Sequence, residues 1–239
     1  MKLIFLGPPG AGKGTYSTRI CEQKGWAHIS TGDILRENVK KQTPIGVQAK
    51  EYMNRGALVP DEIIIGMVKE RLQQEDAQPG FIFDGFPRTT PQAEAIEGIT
   101  EIDAVINLNI PDWVLIEKIL ARRTCENCGD IYNVADIKFG PDDSYHMPPL
   151  PPKEEGVCDK CGGRLVSRSD ETKEIIENRL QVYKEQTQPL IEYYREKGLL
   201  RDVDVVGPPE VMVPKLLEVL EGGEEKTGIE ESLEEQREE

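Results

Sequence analysis

Three features are scarce in this chain of 239 residues: basic residues, histidine and long apolar runs. Lys and Arg number 29 against 44 Asp and Glu, which gives a formal net charge of −15. Nucleic-acid-binding proteins usually present a basic surface to phosphates, so this balance disfavours such a partner. No run approaches the about 18 apolar residues of a membrane-spanning helix, and the opening run 3–6 is too short for a secretion signal. We therefore expect a cytoplasmic protein that does not bind membranes.

Cysteine is also scarce, but its spacing is informative. Only Cys21 stands alone, while the other four form two C-x2-C pairs, Cys125 with Cys128 and Cys158 with Cys161. Two disulfides or four free thiols are the alternatives. In a reducing compartment the pattern favours a metal site over disulfides.

Strand-like and helix-like segments alternate along most of the chain. The strand-like segments are 2–7, 81–86, 104–110 and 199–206, and helical stretches such as 61–72, 112–122 and 170–197 separate them. Alternation of this kind predicts an α/β fold, in which a parallel sheet carries helices on both faces. His28 and His146 fall outside these segments, and we expect His28 to be structural.

Three regions depart from the alternation. Residues 31–59 read as two helices broken at Pro44 and ended near Gly56, and residues 124–167 are rich in Pro, Gly, Asp and Cys. We expect both regions to be insertions over the ligand-binding edge of the sheet. The tail 222–239 holds eight Glu and little to bury, which predicts a disordered, solvated segment, with a folded helical arm as the alternative.

A glycine-rich loop follows the first predicted strand. Residues 7–15, GPPGAGKGT, nearly match the pattern G-x4-G-K-[ST], in which backbone N–H groups and a helix N-terminus bind phosphate. Lys13 is expected to reach the β- and γ-phosphates. Gly14 occupies the usual hydroxyl position and Thr15 supplies the hydroxyl one residue later, so magnesium need not be held in the standard way. The alternative, a turn without a ligand, is disfavoured because strand, loop and helix occur in the required order.

Charged residues near the ends of the predicted elements suit phosphoryl transfer. Asp84 ends the third strand, where open α/β sheets bind ligands, and is a candidate to hold magnesium, although an isolated Asp there is more often a turn former. Guanidinium groups match the oxygens of a transferring phosphoryl group, although each arginine taken alone is commonly a surface charge. The candidates are Arg36, Arg88, Arg122, Arg123, Arg168 and Arg179. A histidine base is not needed when the acceptor is a phosphate, which is already anionic.

These motifs together carry a resemblance. They are the phosphate loop, Thr31-Gly32-Asp33 with Arg36, Asp84-Gly85-Phe86-Pro87-Arg88 with Gln92, the pair Arg122-Arg123, and Arg168, Asp170 and Arg179. From Met1 to about Leu220 the chain resembles the adenylate kinase family of nucleoside-monophosphate kinases, in its long, zinc-lid-bearing type. The resemblance implies a P-loop NTPase-type fold: a parallel five-stranded sheet flanked by helices, with an inserted helical NMP-binding region and a zinc-binding lid. The implied segments are a core of 1–30, 60–121 and 168–221, the NMP-binding region 31–59, the lid 122–167 and the acidic tail 222–239.

The resemblance also implies roles for individual residues. Those expected at ATP are Gly10, Ala11, Gly12, Lys13, Gly14, Thr15, Lys118, Arg122, Ile131, Tyr132 and Gly207. Those expected at AMP are Thr31, Arg36, Ala57, Leu58, Val59, Gly85, Phe86, Pro87, Arg88, Gln92, Arg168 and Arg179. The expected catalytic residues are Lys13, Asp84, Arg88, Arg122, Arg168 and Arg179. Gln92 suits adenine because its amide offers one donor and one acceptor to an aminopurine edge.

The implied reaction is reversible, magnesium-dependent transfer of the γ-phosphoryl group of ATP to AMP, giving two ADP. One alternative is another nucleoside-monophosphate kinase, such as a UMP/CMP or GTP-using enzyme. The other is a zinc-ribbon P-loop ATPase that binds nucleic acid, which the acidic balance disfavours. Either way the four paired cysteines suit a structural Zn²⁺.

Two details of the chain depart from the family pattern. The 29 residues between Cys128 and Cys158 exceed what this lid usually has, and the Pro-rich segment 136–152 has no family explanation. The segment could be an ornament, a lid modulator or a contact with another subunit. We expect a monomer by default, and an oligomer formed through this segment is the alternative. Lys118 stands where the family often has arginine, and the predicted helix 112–122 would place it on one face with Arg122.

Overall fold

The computed structural model describes residues 1–222, so the predicted tail 222–239 lies outside the described residues except for Gly222. A parallel five-stranded sheet forms the centre. Its strands, numbered in chain order, are β1 (Lys2–Leu6), β2 (Ala27–Ser30), β3 (Phe81–Asp84), β4 (Ala104–Asn109) and β10 (Leu200–Asp204). They lie in the order β10-β4-β1-β3-β2, and every neighbouring pair is parallel. The expected fold class is therefore confirmed.

Helices cover both faces of this sheet because both faces are apolar. In β1 the side chains of Leu3 and Phe5 enter one core, and those of Ile4 and Leu6 enter the other, as the two-residue repeat of a strand requires. All four are nearly inaccessible to solvent. The flanking helices are α1 (Lys13–Lys24), α4 (Asp61–Leu72), α5 (Thr90–Glu97), α6 (Asp112–Leu120), α7 (Lys173–Val182), α8 (Pro189–Glu196) and α9 (Pro209–Leu220). Within residues 1–222, no helix has an apolar stretch long enough to cross a bilayer.

The structure corrects three expectations about these elements. Strand β2 was missed, because its four residues AHIS are short and hold a histidine. The helix predicted over 112–122 ends at Leu120, so Arg122 opens a strand instead and does not share a helix face with Lys118. The helix predicted over 170–197 is interrupted by a π-helical turn, Tyr183–Thr187, before Pro189 opens α8 with no N–H to donate.

The first insertion is the predicted pair of helices. They are α2 (Thr31–Lys40) and α3 (Pro44–Asn54). The Ser30 side chain accepts a hydrogen bond from the Asp33 N–H at the start of α2, and Thr43 accepts one from Gly46 N–H at the start of α3. Pro44 occupies the first turn of α3, where its missing N–H costs nothing. The predicted break at Pro44 is confirmed.

The second insertion holds two small antiparallel sheets. The first joins β5 (Arg122–Cys125), β6 (Ile131–Asn133) and β9 (Leu165–Val166), and the second is a hairpin of β7 (Ile137–Phe139) and β8 (Tyr145–Met147). Apolar side chains of the hairpin join the main core, Ile137, Phe139 and Met147 being almost fully buried. Phe139 meets Trp113 of α6 edge-on, with ring centroids 6.3 Å apart. The unexplained segment 136–152 is thus packed largely onto its own chain.

Candidate active site

A cleft of about 1630 Å³ opens beyond the carboxyl ends of β1, β2 and β3. The region of α2 and α3 bounds one side of it and the second insertion bounds another. Nearly all the residues expected at ATP or AMP line this cleft, from the glycine-rich loop to Gly207. Ala11 and Phe86 do not, because both side chains are fully buried in the core. Their side chains support the two loops from within the core, so a contact of either residue with a nucleotide would have to come from its backbone. The candidate Arg123 does not line the cleft and donates instead to the backbone carbonyls of Leu120 and Arg122.

Backbone conformations that favour glycine shape the phosphate loop. Gly10 and Gly12 have φ values of +90° and +96°, in the left-handed region that other residues rarely adopt. A side chain at Gly12 would also come within 2.7 Å of the Tyr16 ring. The Ala11 N–H donates to the carbonyl of Pro8 at 3.2 Å, which closes the turn. The loop then runs directly into the N-terminus of α1, as a phosphate site requires.

Lys13 is the buried cation of this loop. Its Nζ donates to the carbonyl oxygens of Gly7 and Pro8, at 2.6 and 2.8 Å. Burial lowers the pKa of Lys13 to about 7, although Asp84 acts to raise it. An anion bound in the loop would stabilise the charged ammonium and restore its proton.

Asp84 lies beside Lys13 and His28 at the end of β3. The His28 Nε2 is 3.4 Å from a carboxylate oxygen of Asp84. Burial acts to raise the pKa of Asp84, but His28, Lys13 and Arg88 outweigh it and hold the pKa at about 2. A Cβ on Gly14 would come 3.1 Å from that carboxylate, so glycine at this position keeps room around it. An ionised carboxylate with open space next to a phosphate loop fits a hard divalent cation such as Mg²⁺.

His28 was expected to be structural, and its contact with Asp84 was not foreseen. The signal that could have found it is the register of the sheet. His28 pairs with Ile82 in β3, two residues before Asp84. Recognition of β2 would have placed the two side chains near one another.

Five of the candidate arginines bring positive charge to the middle of the cleft: Arg36, Arg88, Arg122, Arg168 and Arg179. Burial and the neighbouring Arg179 lower the pKa of Arg88 to about 10, and burial with Arg36 lowers that of Arg168 to about 9. Arg88 and Arg168 therefore both remain protonated at neutral pH. Burial lowers the pKa of Arg179 as well. Buried cations that repel one another define a site for a polyanion.

Acidic and hydroxyl groups hold these arginines in place. Arg179 donates to Asp170 at 3.0 Å, and Arg122 Nε donates to the buried Glu171 at 2.7 Å. Arg168 Nε donates to the Thr124 hydroxyl at 3.1 Å. Asp33 forms an ion pair with Arg36. The guanidinium groups are thus oriented before any ligand binds, which reduces the entropy lost on binding.

One end of the cleft is built from α2, α3 and the turn after β3. The Thr31 hydroxyl and Arg88 Nε both donate to the carbonyl of Gly85, at 2.7 and 2.8 Å. Gln92, only 2% exposed, accepts a hydrogen bond from the backbone N–H of Arg88. Residues 57–59 and Pro87 complete this end.

The other end of the cleft is formed by Lys118, Arg122 and the second insertion. Burial, with Arg122 next, lowers the pKa of Lys118 to about 8. Ile131 and Tyr132 of β6 line this end, as expected. Ile137 and Met147 of the hairpin line it too, and neither was among the expected site residues. Their alternation with polar residues in an otherwise polar insertion was the available signal.

The four paired cysteines form one cluster. Their sulfur atoms all lie within 4.8 Å of one another, with Cys125 to Cys161 at 3.5 Å and Cys128 to Cys158 at 3.6 Å. Four thiolates around one tetrahedral zinc would be about 3.8 Å apart, by the Zn–S distance of such sites. The Tyr132 hydroxyl lies 3.6 Å from the sulfur of Cys158, where it can orient that ligand. All five cysteines are free, so the cluster fits a metal and not two disulfides.

Known proteins resemble this chain over most of its length. The model of the adenylate kinase family matches residues 5–199. An adenylate kinase of Archaeoglobus fulgidus is 53% identical over 209 residues, covering 85% of this chain and 90% of the relative. One of Caldicellulosiruptor saccharolyticus is 51% identical over 216 residues, covering 88% and 94%, and one of a Geobacillus species is 47% identical over 227 residues, covering 93% and 99%. None of these findings supports a UMP/CMP or GTP-using enzyme or a nucleic-acid-binding ATPase.

Proposed function

Since the chain belongs to the adenylate kinase family and is a phosphotransferase, we propose that its cleft moves the γ-phosphoryl group of ATP to AMP, reversibly, giving two ADP. The observation that carries the assignment of the cleft is the convergence of Lys13 with five half-buried arginines on one cavity. Phosphoryl transfer needs positioning and charge stabilisation more than covalent chemistry. The cleft supplies both.

ATP is proposed to lie at the phosphate-loop end. The loop from Gly10 to Thr15 would bind its phosphates through backbone N–H groups, and Lys13 would leave the carbonyls of Gly7 and Pro8 to reach them. Lys118, Ile131 and Tyr132 would cover the base and ribose, with the backbone at Gly207 at their edge. Arg122 would bridge from this end to the transferring group.

AMP is proposed to lie at the opposite end. Thr31, Ala57, Leu58, Val59, Gly85, Pro87 and Gln92 would surround the nucleoside. Arg36 and Arg88 would hold the acceptor phosphate, and Arg168 and Arg179 would lie between the two phosphate groups. Because guanidinium groups can bind phosphate oxygens in pairs, these arginines would fix the acceptor oxygen in line with the γ-phosphorus.

No general base is required in this mechanism. The acceptor phosphate has a second pKa of about 6 and is already a nucleophile at neutral pH. The remaining hazard is attack by water, which the lid residues 122–167 and the region 31–59 would exclude by closing over the core segments 1–30, 60–121 and 168–221. The arginines would then act in a low-dielectric space, where their stabilisation of charge is stronger.

Two metals belong to the proposal. Asp84 would hold Mg²⁺, directly or through water, because its carboxylate is ionised and Gly14 leaves space beside it. When bound with ATP, Mg²⁺ neutralises phosphate charge. Cys125, Cys128, Cys158 and Cys161 would hold a structural Zn²⁺, which fits the spacing of their sulfur atoms. A reducing, cytoplasmic setting would keep these thiols available.

The 136–152 insertion supports a monomer in this proposal. Its apolar side chains Ile137, Phe139 and Met147 pack into the chain's own core, so they are not available to contact a second subunit.

The test is product formation with alternative acceptors. The protein is incubated with MgATP and AMP, UMP, CMP or GMP, and nucleotides are separated by chromatography. We expect rapid ADP formation when AMP is the acceptor. We also expect the protein to form ATP and AMP when it is given ADP alone. A Lys13→Met variant prepared in parallel controls for contaminating kinases. Faster transfer to UMP, CMP or GMP than to AMP would overturn the proposal.

A further inference from the structure

Asp61 holds Gln92 from outside the cleft. It is the first residue of α4, and its carboxylate accepts two hydrogen bonds, from Gln92 Nε2 at 2.6 Å and from the Thr89 hydroxyl at 3.0 Å. Gln92 lines the cleft, whereas Asp61 does not. Asp61 therefore acts on a ligand only through its neighbour.

Two hydrogen bonds fix which way the Gln92 amide faces. The backbone N–H of Arg88 donates to Gln92 Oε1 at 2.8 Å, while the amide nitrogen of Gln92 faces Asp61. An ionised carboxylate can only accept, and a backbone N–H can only donate. Turning the amide by 180° would set nitrogen against the N–H and oxygen against the carboxylate. Both contacts would be repulsive, so only one orientation is allowed.

One amide hydrogen and one oxygen lone pair of Gln92 remain for a ligand. A 6-amino purine such as adenine presents a donor at position 6 and an acceptor at N1. A 6-oxo purine such as guanine or hypoxanthine presents the reverse. A glutamine that is free to flip can satisfy either pattern, but a locked glutamine satisfies one.

We infer that Asp61 is a positioning residue for acceptor specificity, because it locks the Gln92 amide in the orientation that accepts 6-amino and rejects 6-oxo purine monophosphates. The inference rests on the proposed function, in which the base of AMP meets Gln92. A buried polar group that is matched by one substrate and opposed by another is a strong source of discrimination.

The experiment compares AMP with IMP, which differ only at position 6 and N1. For each enzyme, kcat/KM is measured with AMP and with IMP at saturating MgATP. Asp61→Ala should lower the AMP-to-IMP ratio by about tenfold, because loss of one oriented hydrogen bond is of that size, and kcat/KM for IMP should rise while that for AMP falls. The KM for ATP should not change. Asp61→Asn still offers an oxygen that can turn toward Gln92, so it should lower the ratio less than Asp61→Ala does.

A matched control is Asp112→Ala. Asp112 opens α6 after a proline, as Asp61 opens α4, but it binds the exposed Lys184 and not a cleft residue. Its ratio should equal that of the native enzyme. If Asp61→Ala does not fold, Asp61→Ser replaces it, because a hydroxyl can donate or accept and so releases the lock while retaining a good helix start.

The outcomes separate the inference from the proposed function. If the native protein does not make ADP from ATP and AMP, the proposed function fails. If it does, but the released variants keep the native AMP-to-IMP ratio, the inference alone fails. An equal loss in Asp61→Ala and Asp61→Asn would assign the effect to the charge of Asp61 and would also overturn the lock.

Discussion

Lys40 of α2 donates a hydrogen bond of 3.0 Å to the backbone carbonyl of Glu126, which lies in the second insertion, 86 residues further along the chain. Both residues line the cleft. The contact therefore joins the two regions that are proposed to close over the nucleotides, and it does so at the rim, where both groups remain exposed.

Removal of this contact tests whether it contributes to closure. Lys40→Ala should raise the KM for ATP and for AMP by about twofold and leave the melting temperature unchanged, because an exposed polar contact contributes under about 1 kcal/mol. The matched control is Lys41→Ala, whose partner Glu37 lies on the same helix. Steady-state kinetics with each nucleotide varied in turn provide the measurement. Identical values for the two variants would show that the Lys40 contact is incidental.

Arg88→Ala should reduce kcat by about 10²–10³-fold, the usual effect of deleting one preorganised donor to a transition state. The fold should persist, because Arg88 makes only one side-chain hydrogen bond to the backbone of Gly85 among the described residues. Arg195→Ala is the control, since its partners Glu192 and Asp202 lie away from the cleft. Steady-state assays of ADP formation would measure kcat, and circular dichroism would show whether the fold persists. A folded Arg88→Ala enzyme with native turnover would refute the assignment.

Nucleotide binding should be linked to proton uptake. With a pKa of about 7, Lys13 is charged below that pH and only about a tenth protonated at pH 8 in the free protein. ATP phosphates raise this pKa, so binding at pH 8 should take up close to one proton. The nucleotide itself is fully ionised at pH 8.

Calorimetry in two buffers of different ionisation enthalpy measures this uptake. Lys118, with a pKa of about 8, adds at most about half a proton at pH 8. The decisive comparison is therefore Lys13→Met, in which most of the uptake should disappear. Equal uptake by the native and variant proteins would mean that Lys13 is not the group that gains the proton.

The cysteine cluster should contain about one zinc ion per chain, by the four-ligand stoichiometry of structural sites. Cys158→Ser should lose the metal and lower the melting temperature, because metal binding contributes to folding of the region that holds it. Cys21→Ala should keep the metal, since Cys21 is buried in the main core and burial raises its pKa to about 12. Elemental analysis and thermal melts decide the matter. A metal-free native protein with four titratable thiols would contradict this expectation.

Lys118→Arg should tighten ATP binding by a few fold and leave AMP binding nearly unchanged. A guanidinium can stack flat on a base, whereas an ammonium cannot, and the difference is about 0.5–1 kcal/mol at partly exposed sites. The position of Lys118 in the cleft next to Arg122 supports this change. Michaelis curves with ATP and with AMP varied separately would measure it. An effect on AMP alone would show that Lys118 faces the acceptor.

Local sequence was sufficient to predict the structure wherever a short motif determines the backbone conformation. The glycines around Lys13 and the strand before them predict the phosphate loop, and the two C-x2-C pairs predict the cysteine cluster. The order of strands and helices predicts the parallel sheet. The residues that decide the loop and each C-x2-C pair lie within a few positions of one another, and the sheet follows from a general rule of chain topology.

Tertiary packing decided what local sequence did not. The end of α6 at Leu120 depends on Arg122 pairing with Asn133 in β6, eleven residues away. The site of the hairpin depends on Phe139 meeting Trp113. The partner of Gln92 is Asp61, 31 residues earlier and on another helix. None of these partners is visible in the sequence periodicity of its own segment.

The packing of Phe139 on Trp113 gives this protein an intrinsic optical reporter. The chain has only two tryptophans, and the other, Trp26, lies just before β2. Indole emission depends on the surroundings of the ring, so a hairpin that lifts from α6 would alter the fluorescence of Trp113. Replacement of Trp26 by phenylalanine would leave one emitter. Movement of the lid could then be timed in solution without an attached dye.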